Sequence, residues 1–297
     1  MGSALEHWLE QQLGAALTRL SPVGGGCIHR AWCVELADGQ RWFAKSNRAS
    51  ALPMLTAEAD GLKALAAAAP PGLVVPLPMA SGVAGDQAVL VMPWLELGAG
   101  TGQPHWQQFG RNLARLHRTS LTTADGPARF GWDRANFIGS SSQPNGWALR
   151  WADFFVDQRL GHQLQLAAAG GLVFVGAERL LEQLRDWLGQ HLPEPVLVHG
   201  DLWSGNAALL SAGGAAVFDP APYRGDREVD LAMARLFGGF PDAFFAGYDQ
   251  EWPLPAGYRP RQDVYNLYHL LNHANLFGGG YLQQAQQSIK ALLRVTA

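Results

Sequence analysis

The segment Val198-His199-Gly200-Asp201-Leu202-Trp203-Ser204-Gly205-Asn206 directly follows a short apolar run at 195–198. Within it His199, Asp201 and Asn206 have the spacing H-x-D-x-x-x-x-N. In phosphotransferase catalytic loops of this form, the Asp orients an attacking hydroxyl and can accept its proton, and the Asn holds a metal ion. The segment therefore predicts a phosphoryl-transfer site, with Asp201 as the catalytic base and Asn206 as a metal ligand.

A second carboxylate, Asp219, stands at the end of the apolar run 215–218 and is followed by Pro220. It comes 18 positions after Asp201 (219 − 201), which is about the separation of the D-F-G Asp from the catalytic Asp in protein kinases. Taken singly, each Asp could be a turn residue or a strand-end cap. Together at this spacing, they favour a site where Asp219 and Asn206 supply oxygen ligands to Mg²⁺.

Lys45 ends the apolar stretch Arg41-Trp42-Phe43-Ala44-Lys45. The chain otherwise uses arginine, and its other lysines are Lys63 and Lys290. A lysine kept in this background indicates that a compact ammonium is needed, as on nucleotide phosphates. Glu58, in the helix predicted to follow, is the expected partner of Lys45. Alone, the two residues could equally be a solvated surface pair.

The glycines Gly24, Gly25 and Gly26 precede Lys45 and are followed by Cys27. They match neither G-x-G-x-x-G nor a Walker loop, and on their own they indicate a turn. Between strands and before the lysine, they fit a lid whose backbone N–H groups approach phosphates. An exposed Cys27 thiol in such a lid could be oxidised or could link two chains, giving a dimer of an otherwise monomeric protein. The alternative is a small residue packed in a strand.

The fold predicted from the whole chain is α+β, with two lobes in the protein-kinase order. Residues 1–94 form a small antiparallel-sheet N-lobe that binds nucleotide, and residues 95–297 form a larger, mainly helical C-lobe with the catalytic loop and acceptor site. The segment 98–104 is the candidate hinge. Helices are predicted at 3–18, 53–69, 104–118, 150–169, 177–191, 227–237, 241–248, 260–275 and 281–295. Strands are predicted at 31–36, 41–45, 73–80, 87–93, 196–199 and 215–219, and a loop at 119–148.

Composition excludes several classes of partner. The net charge is −3, which gives no basic surplus for nucleic acid. The sequence has no apolar run long enough to span a membrane and no signal-like start. It has 2 cysteines, which fits a reducing cytoplasm rather than a disulfide framework.

Longer segments make the chain resemble the fructosamine kinase family. The resemblance is carried by 199–206, 219–221, 225–233, 236–240 and 267–278, and upstream by 24–28, Lys45, Gly139, Gln143, Asn145 and 151–155. It implies an aminoglycoside-phosphotransferase-like variant of the kinase fold that uses ATP and Mg²⁺. It also implies transfer to the 3-hydroxyl of ketosamines, that is, fructosamines or ribulosamines, carried on small molecules or on proteins. The product then decomposes and frees the amine, so the reaction repairs glycation.

The resemblance also implies roles for individual residues. Asp201 is the base, Asn206 and Asp219 bind Mg²⁺, and Lys45 and Glu58 serve ATP. The adenine is held by backbone groups of Met92, Pro93, Trp94 and Leu95, and Trp203 forms an apolar wall for the sugar adduct. One departure is His29, which stands where a small polar residue is expected.

Three more residues are candidates for contact with the acceptor. Asp226 and Glu228 could contact the substrate amine, although carboxylates before a helix also suit its dipole. His273 forms an i, i+4 pair with His269, which could bind zinc; helix packing or a place at the pocket edge is favoured. Two other functions remain open: a kinase for another small-molecule hydroxyl, such as an aminoglycoside or choline, and a non-catalytic nucleotide-binding protein.

Overall fold

The structure is a computed structural model that describes residues 3–24, 28–98, 102–121 and 129–296. The strands in chain order are β1 (Leu17–Val23), β2 (Arg30–Leu36), β3 (Arg41–Arg48), β4 (Leu73–Val74), β5 (Ala80–Ala84), β6 (Gln87–Pro93), β7 (Asn136–Ile138), β8 (Ser141–Gln143), β9 (Val196–Val198), β10 (Ala207–Leu209), β11 (Ala215–Val217) and β12 (Tyr223–Gly225). The helices are α1 (Ala4–Leu13), α2 (Leu52–Ala68), α3 (Gln103–Thr119), α4 (Trp151–Phe155), α5 (His162–Ala169), α6 (Ala177–Gly189), α7 (Glu228–Leu236), α8 (Asp242–Glu251), α9 (Tyr258–Phe277) and α10 (Gly280–Val295).

The N-terminal part is an antiparallel sheet of five strands in the order β1-β2-β3-β6-β5. Its two faces pack against different helices. On β6, Val89 and Val91 join the core with α1, whereas Leu90 and Met92 join the core with α2. This alternation follows from the period of two along a strand. Because Lys45 pairs with Leu90 across the sheet, its side chain lies on the α2 face.

The C-terminal part is built mainly from helices, and short strands at its centre carry the functional loops. Strands β9 and β12 pair antiparallel, and β10, β11 and β4 form a separate small sheet. The loop after β9 contains Asp201, and the residue Asp219 follows β11 closely. Helix α9 is buried along most of its length against α7 and α10. The mixed fold, with a small antiparallel sheet followed by a helical part, confirms the prediction.

Several boundaries differ from the prediction. Helix α1 ends at Leu13, because Gly14 adopts a left-handed conformation (φ 72°) and caps it. The strand predicted at 73–80 is reduced to β4, since Pro76 and Pro78 interrupt the ladder. The predicted loop 119–148 contains the hairpin β7–β8, and a π-helical stretch, Val156–Gly161, separates α4 from α5.

Two further expectations concern the organisation of the chain. The lobe boundary at 94/95 stays a prediction, and residues 99–101 of the predicted hinge lie outside the described residues. Within the described ranges, no helix is long and apolar enough to cross a membrane.

Candidate active site

A cleft with a volume of about 850 Å³ is lined by residues from both parts of the fold. Polar groups gather in one region of it: Lys45, Glu58, Asp201, Asn206 and Asp219. The remaining lining is largely apolar or aromatic. A cleft of this size with a few convergent charged groups is the usual form of a small-molecule site.

The cation of the site is the Lys45 ammonium, which is buried between two carboxylates. Its Nζ donates to Glu58 Oε1 at 2.8 Å and also to Asp219 Oδ1. Burial disfavours its charge, but the two carboxylates outweigh burial and hold the pKa of Lys45 above its ordinary value. Burial also disfavours the charged form of Glu58, which raises the pKa of this carboxyl to about 7, although the Lys45 ammonium opposes the shift. The predicted Lys45–Glu58 pair is therefore present, and it is not a solvated surface pair, because Lys45 is buried and the Glu58 side chain is only 11% exposed.

Asp219 presents its carboxylate to the cleft, where its side chain is 41% exposed. Burial alone would raise its pKa, but Lys45 outweighs burial and lowers it, so the group stays ionised. The backbone of Asp219 has φ 57°, the only positive value among the non-glycine residues that the structure describes. Asp tolerates this left-handed conformation better than most side chains. The bend turns the chain sharply after β11 at the cleft.

Asp201 and Asn206 lie together beside Asp219. Asn206 Nδ2 donates to the Asp201 carboxylate at 3.0 Å, to the Asp201 carbonyl at 2.9 Å and to the Asp219 carbonyl at 3.4 Å. Because these contacts use the amide nitrogen, Oδ1 is the atom of Asn206 that can face a cation. Burial, followed by repulsion from Asp219, raises the pKa of Asp201 to about 7. A carboxyl with a pKa near neutrality is suited to accept a proton.

Asp230, in α7, holds the catalytic loop from behind. Its carboxylate accepts the backbone N–H groups of His199 at 2.7 Å and Gly200 at 2.8 Å, and the Nε2–H of His117 at 3.1 Å. His199 in turn donates through Nε2 to the Phe218 carbonyl at 3.0 Å, which ties the loop to the chain before Asp219. In the sequence Asp230 follows Asp226 and Glu228 at alternate positions, and nothing in that pattern predicts this role. Nothing in the sequence predicts the role of His117 either.

Gly200 allows the loop to pass close to the segment after Asp219. It has φ +80°, and a Cβ built on it would lie 2.1 Å from the Ala221 carbonyl oxygen. The Ala221 N–H also donates to the His199 carbonyl at 2.9 Å. Only glycine permits this conformation and this approach. The closeness of the two segments brings Asp201 and Asp219 together.

The structure corrects the predicted substrate contacts of Asp226 and Glu228. Both are buried (1% exposed) and neither lines the cleft. Asp226 accepts from Tyr265 at 2.6 Å and from His191 at 2.7 Å, and Glu228 pairs with Arg261 through two bonds of 2.7 Å. Asp226 also accepts the Glu228 N–H at 3.1 Å at the start of α7. Asp226 and Glu228 therefore match the alternative interpretation, in which they are carboxylates at the start of a helix and not contacts for the substrate amine.

The same two carboxylates and His191 form a cluster of possible metal ligands. One ligand atom from each lies within 4.8 Å of the others. These atoms are already engaged by Tyr265, by Arg261 and by one another. A hard cation is better served by Asp219, whose carboxylate is partly open to the cleft.

The predicted adenine-binding residues line the same cleft as the charged group. Met92 is buried at the end of β6, and Pro93, Trp94 and Leu95 follow it along the wall. Phe43 and Ala31 complete an apolar surface beside them. The arrangement offers an apolar surface for an aromatic base, so the residues present suit an adenine nucleotide.

An aromatic cluster forms another part of the cleft. The ring centroid of His273 lies 4.8 Å from Phe237, 5.0 Å from Tyr281 and 5.5 Å from Phe277. Trp203 lines the cleft with them. His273 Nδ1–H donates to the His269 carbonyl at 2.8 Å, which leaves Nε2 as an acceptor. His273 thus lies at the edge of the pocket, which is one of the two positions that the sequence favours over a zinc site.

The glycine turn is described only in part. Gly24 lines the cleft. Gly25, Gly26 and Cys27 lie outside the described residues, so the predicted lid, the redox role of Cys27 and the Cys27-linked dimer stay predictions. Cys33 is buried in β2.

Comparison with known proteins agrees with this geometry. The sequence model described as fructosamine kinase matches residues 1–295. The chain belongs to the fructosamine kinase family. A probable ketoamine kinase of Synechocystis sp. is 48% identical over 92% of this chain and 90% of its own. A chloroplastic protein-ribulosamine 3-kinase of Arabidopsis thaliana is 34% identical over 98% of this chain and 88% of its own.

Solved structures show the same fold. A crystal structure from Haemophilus somnus, assigned as a fructosamine-3-kinase, has a TM-score of 0.87 and 31% identity over 97% of this chain and 96% of its own. An aminoglycoside phosphotransferase in ternary complex with AMP-PNP and hygromycin B has a TM-score of 0.67 at 17% identity, over 99% of each chain. This second likeness concerns the fold alone. The predicted family and fold are confirmed.

Proposed function

We propose that the protein is an ATP-dependent kinase that phosphorylates the 3-hydroxyl of ketosamines. The observation that carries the proposal is the convergence of Asp201, Asn206 and Asp219 with the Lys45–Glu58 pair in one cleft. These are the groups that phosphoryl transfer requires: a base, oxygen ligands for a metal and a cation for phosphates. Membership of the fructosamine kinase family supports the class of acceptor.

The nucleotide would be held in the cleft by three kinds of contact. Lys45 would bind phosphate oxygens, and Glu58 would keep the ammonium in place. Asn206 Oδ1 and the Asp219 carboxylate would bind Mg²⁺, and the wall 92–95 would hold the adenine. The bound nucleotide and metal supply the phosphoryl group and neutralise charge that develops on it.

On the acceptor side, Asp201 performs the proton chemistry. In its ionised form, its carboxylate orients the sugar hydroxyl and accepts the proton as the oxygen becomes nucleophilic. Asn206 Nδ2 donates to this carboxylate and fixes its position. Asp230 holds the backbone of His199 and Gly200, which precede Asp201. The Asp201 carboxylate therefore need not reorganise during the reaction.

The aromatic cluster and Trp203 give the acceptor an apolar surface. A ketosamine has a polar sugar and a secondary ammonium, and aromatic faces bind both C–H surfaces and cations. We propose that Trp203 packs on the sugar adduct and that His273 Nε2 accepts from one of its hydroxyls. Ribulosamines are included because the relative from Arabidopsis thaliana is named a ribulosamine kinase. The phosphorylated product would decompose and release the amine, which repairs glycation on small molecules or proteins.

The experiment that tests the proposal is turnover of ribulose-lysine and fructose-lysine with Mg·ATP, followed by mass and ³¹P analysis of the product. A phosphate on the third sugar carbon is expected, and Asp201→Asn should abolish its formation. An acceptor panel with aminoglycosides and choline tests the rival kinases. Phosphorylation of such an acceptor, with none on either ketosamine, would overturn the proposed substrate class. Binding without turnover of any acceptor would indicate the non-catalytic alternative. The cytoplasmic location and the monomeric state stay predictions.

A further inference from the structure

The residue preceding β2, His29, lines the cleft but has no part in the function described so far. The register of the sheet determines its neighbour. Arg30 pairs with Ser46 in the antiparallel ladder between β2 and β3, so His29 lies beside Asn47. Asn47 is two positions beyond Lys45 and therefore points to the same face of the sheet. His29 is thus placed on the side of the sheet from which Lys45 enters the cleft.

The orientation of the Asn47 amide is fixed by two backbone partners. Its Nδ2 donates to the Ile28 carbonyl at 3.1 Å, and its Oδ1 accepts the Arg48 N–H at 2.8 Å. Rotating the amide by a half turn would place its oxygen against the Ile28 carbonyl oxygen and its NH₂ group against the Arg48 N–H. The positions of the amide nitrogen and oxygen are therefore fixed without reference to His29. The same Nδ2 lies 3.0 Å from His29 Nδ1.

This contact determines the tautomer of the imidazole. An amide nitrogen can only donate, so His29 Nδ1 must be the acceptor and carries no proton. The proton of the neutral ring is therefore on Nε2. Burial, assisted by the nearby Lys45 ammonium, lowers the pKa of His29 to about 4, which agrees with a neutral ring at physiological pH. The ring is thus an uncharged N–H donor, not a cation.

The Nε2 edge is the one left to face the cleft. The Nδ1 edge is occupied by Asn47, and in the described ranges no group accepts from Nε2. His29 lines the cleft together with Lys45 and Asp219, the groups proposed to hold the phosphates and the metal. A neutral donor there can bind a phosphate oxygen without competing with Mg²⁺ for the Asp219 carboxylate.

We infer that His29 donates a hydrogen bond from Nε2 to the phosphate chain of the nucleotide, and that Asn47 is the positioning residue that sets this tautomer. The inference rests on the proposed nucleotide site and adds a phosphate contact to it. Hydrogen bonds to charged acceptors are among the stronger ones, so loss of this donor is expected to weaken nucleotide binding by about tenfold or more.

The test compares two amides that reproduce different atoms of the ring. Gln at position 29 can place its nitrogen near the original Nε2, whereas Asn reproduces only the Nδ1 position. Calorimetry with Mg·AMP-PNP should give near wild-type affinity for His29→Gln and about tenfold weaker binding for His29→Asn. Adenosine, measured by competition, should bind all three proteins equally, because it has no phosphate. Equal affinity of the two variants for Mg·AMP-PNP, or parallel losses for adenosine, would overturn the assignment.

A second measurement reads the tautomer directly. Long-range ¹H–¹⁵N correlation spectra of the free enzyme should show His29 as the Nε2–H form, with the signal identified by its loss in His29→Gln. Asn47→Asp should shift the signal toward the Nδ1–H or doubly protonated form, because a carboxylate accepts where the amide donated. An Nδ1–H ring in the wild-type enzyme would refute the role of Asn47. Failure of the wild-type protein to bind Mg·AMP-PNP would instead refute the proposed nucleotide site itself.

Discussion

Replacing Lys45 with Met tests whether the buried ammonium serves catalysis or merely balances two carboxylates. Methionine keeps much of the length of the side chain and removes the charge. In the wild-type protein Nζ donates to Glu58 at 2.8 Å and also contacts Asp219. The Lys45→Met variant therefore leaves two carboxylates without their cation: Glu58 in α2, which is 11% exposed, and Asp219, which is 41% exposed.

The two expected losses differ in size. Removal of one preorganised charged donor from a phosphoryl-transfer site should lower kcat/KM by about 10²–10³. Breaking a fully buried ion pair costs about 3–5 kcal/mol of stability. Here the cost should be nearer 1–2 kcal/mol, because Glu58 can take up a proton and Asp219 is partly solvated. The pKa of Glu58 is already about 7 with the ammonium present, so it rises further without it.

The assay combines initial rates on a ketosamine with urea unfolding, and the chain offers a matched control. Lys63 lies on the exposed face of α2, and Lys63→Met should change neither quantity. In the double variant Lys45→Met/Glu58→Gln, most of the lost stability should return, because the buried carboxylate is gone, while activity stays low. Wild-type kcat/KM in Lys45→Met would refute the catalytic role, and no recovery of stability in the double variant would refute the electrostatic explanation.

Three further predictions concern the catalytic base Asp201, the glycine of the catalytic loop, and Glu228, whose predicted contact with substrate the structure corrects. The kcat/KM profile should fall as pH drops through about 7, because Asp201 then takes up the proton that makes it unable to act as base; a flat profile between pH 6 and 8, measured with saturating Mg²⁺, would contradict this. Gly200→Ala should cost about 2 kcal/mol more in urea unfolding than Gly213→Ala, since both glycines have positive φ but only the Cβ at 200 meets backbone, at 2.1 Å; equal costs would argue against the clash. Glu228→Gln should lower Tm and leave KM for the ketosamine unchanged, because Glu228 pairs with buried Arg261 and not with substrate; a raised KM at unchanged Tm would restore the substrate contact.

The chemistry of the site could be predicted from sequence where function requires particular residue types at fixed spacing. Asp201 and Asp219 each follow an apolar strand at a separation typical of kinases, and Asn206 lies in the same loop as Asp201, so the three could be expected to form one site. The Lys45–Glu58 pair could be predicted from a lysine at the end of a strand and a glutamate in the helix that follows. That these two residues are buried could not be read from the sequence, since the same pair on a surface has the same pattern.

The contacts that could not be predicted from the sequence have a common physical cause, because each joins residues that are distant in the chain. Glu228 is charged and follows a turn, which suggests exposure, yet it is neutralised by Arg261, 33 positions away. Asp230 lies two positions after Glu228 in the sequence, but its carboxylate accepts the backbone N–H groups of His199 and Gly200, which lie 31 and 30 positions earlier. The tautomer of His29 depends on Asn47 across a sheet, and only the three-dimensional register supplies that neighbour.

Asn206 and Asp219 are proposed to hold the metal of a nucleotide beside Asp201. The most direct measurement is an anomalous difference map from crystals grown with Mn²⁺ and AMP-PNP, in which Mn²⁺ reports the Mg²⁺ position. We expect a peak bonded to Asn206 Oδ1 and the Asp219 carboxylate, with the phosphates reaching Lys45. A peak between His191, Asp226 and Glu228, with the cleft empty of metal, would contradict it.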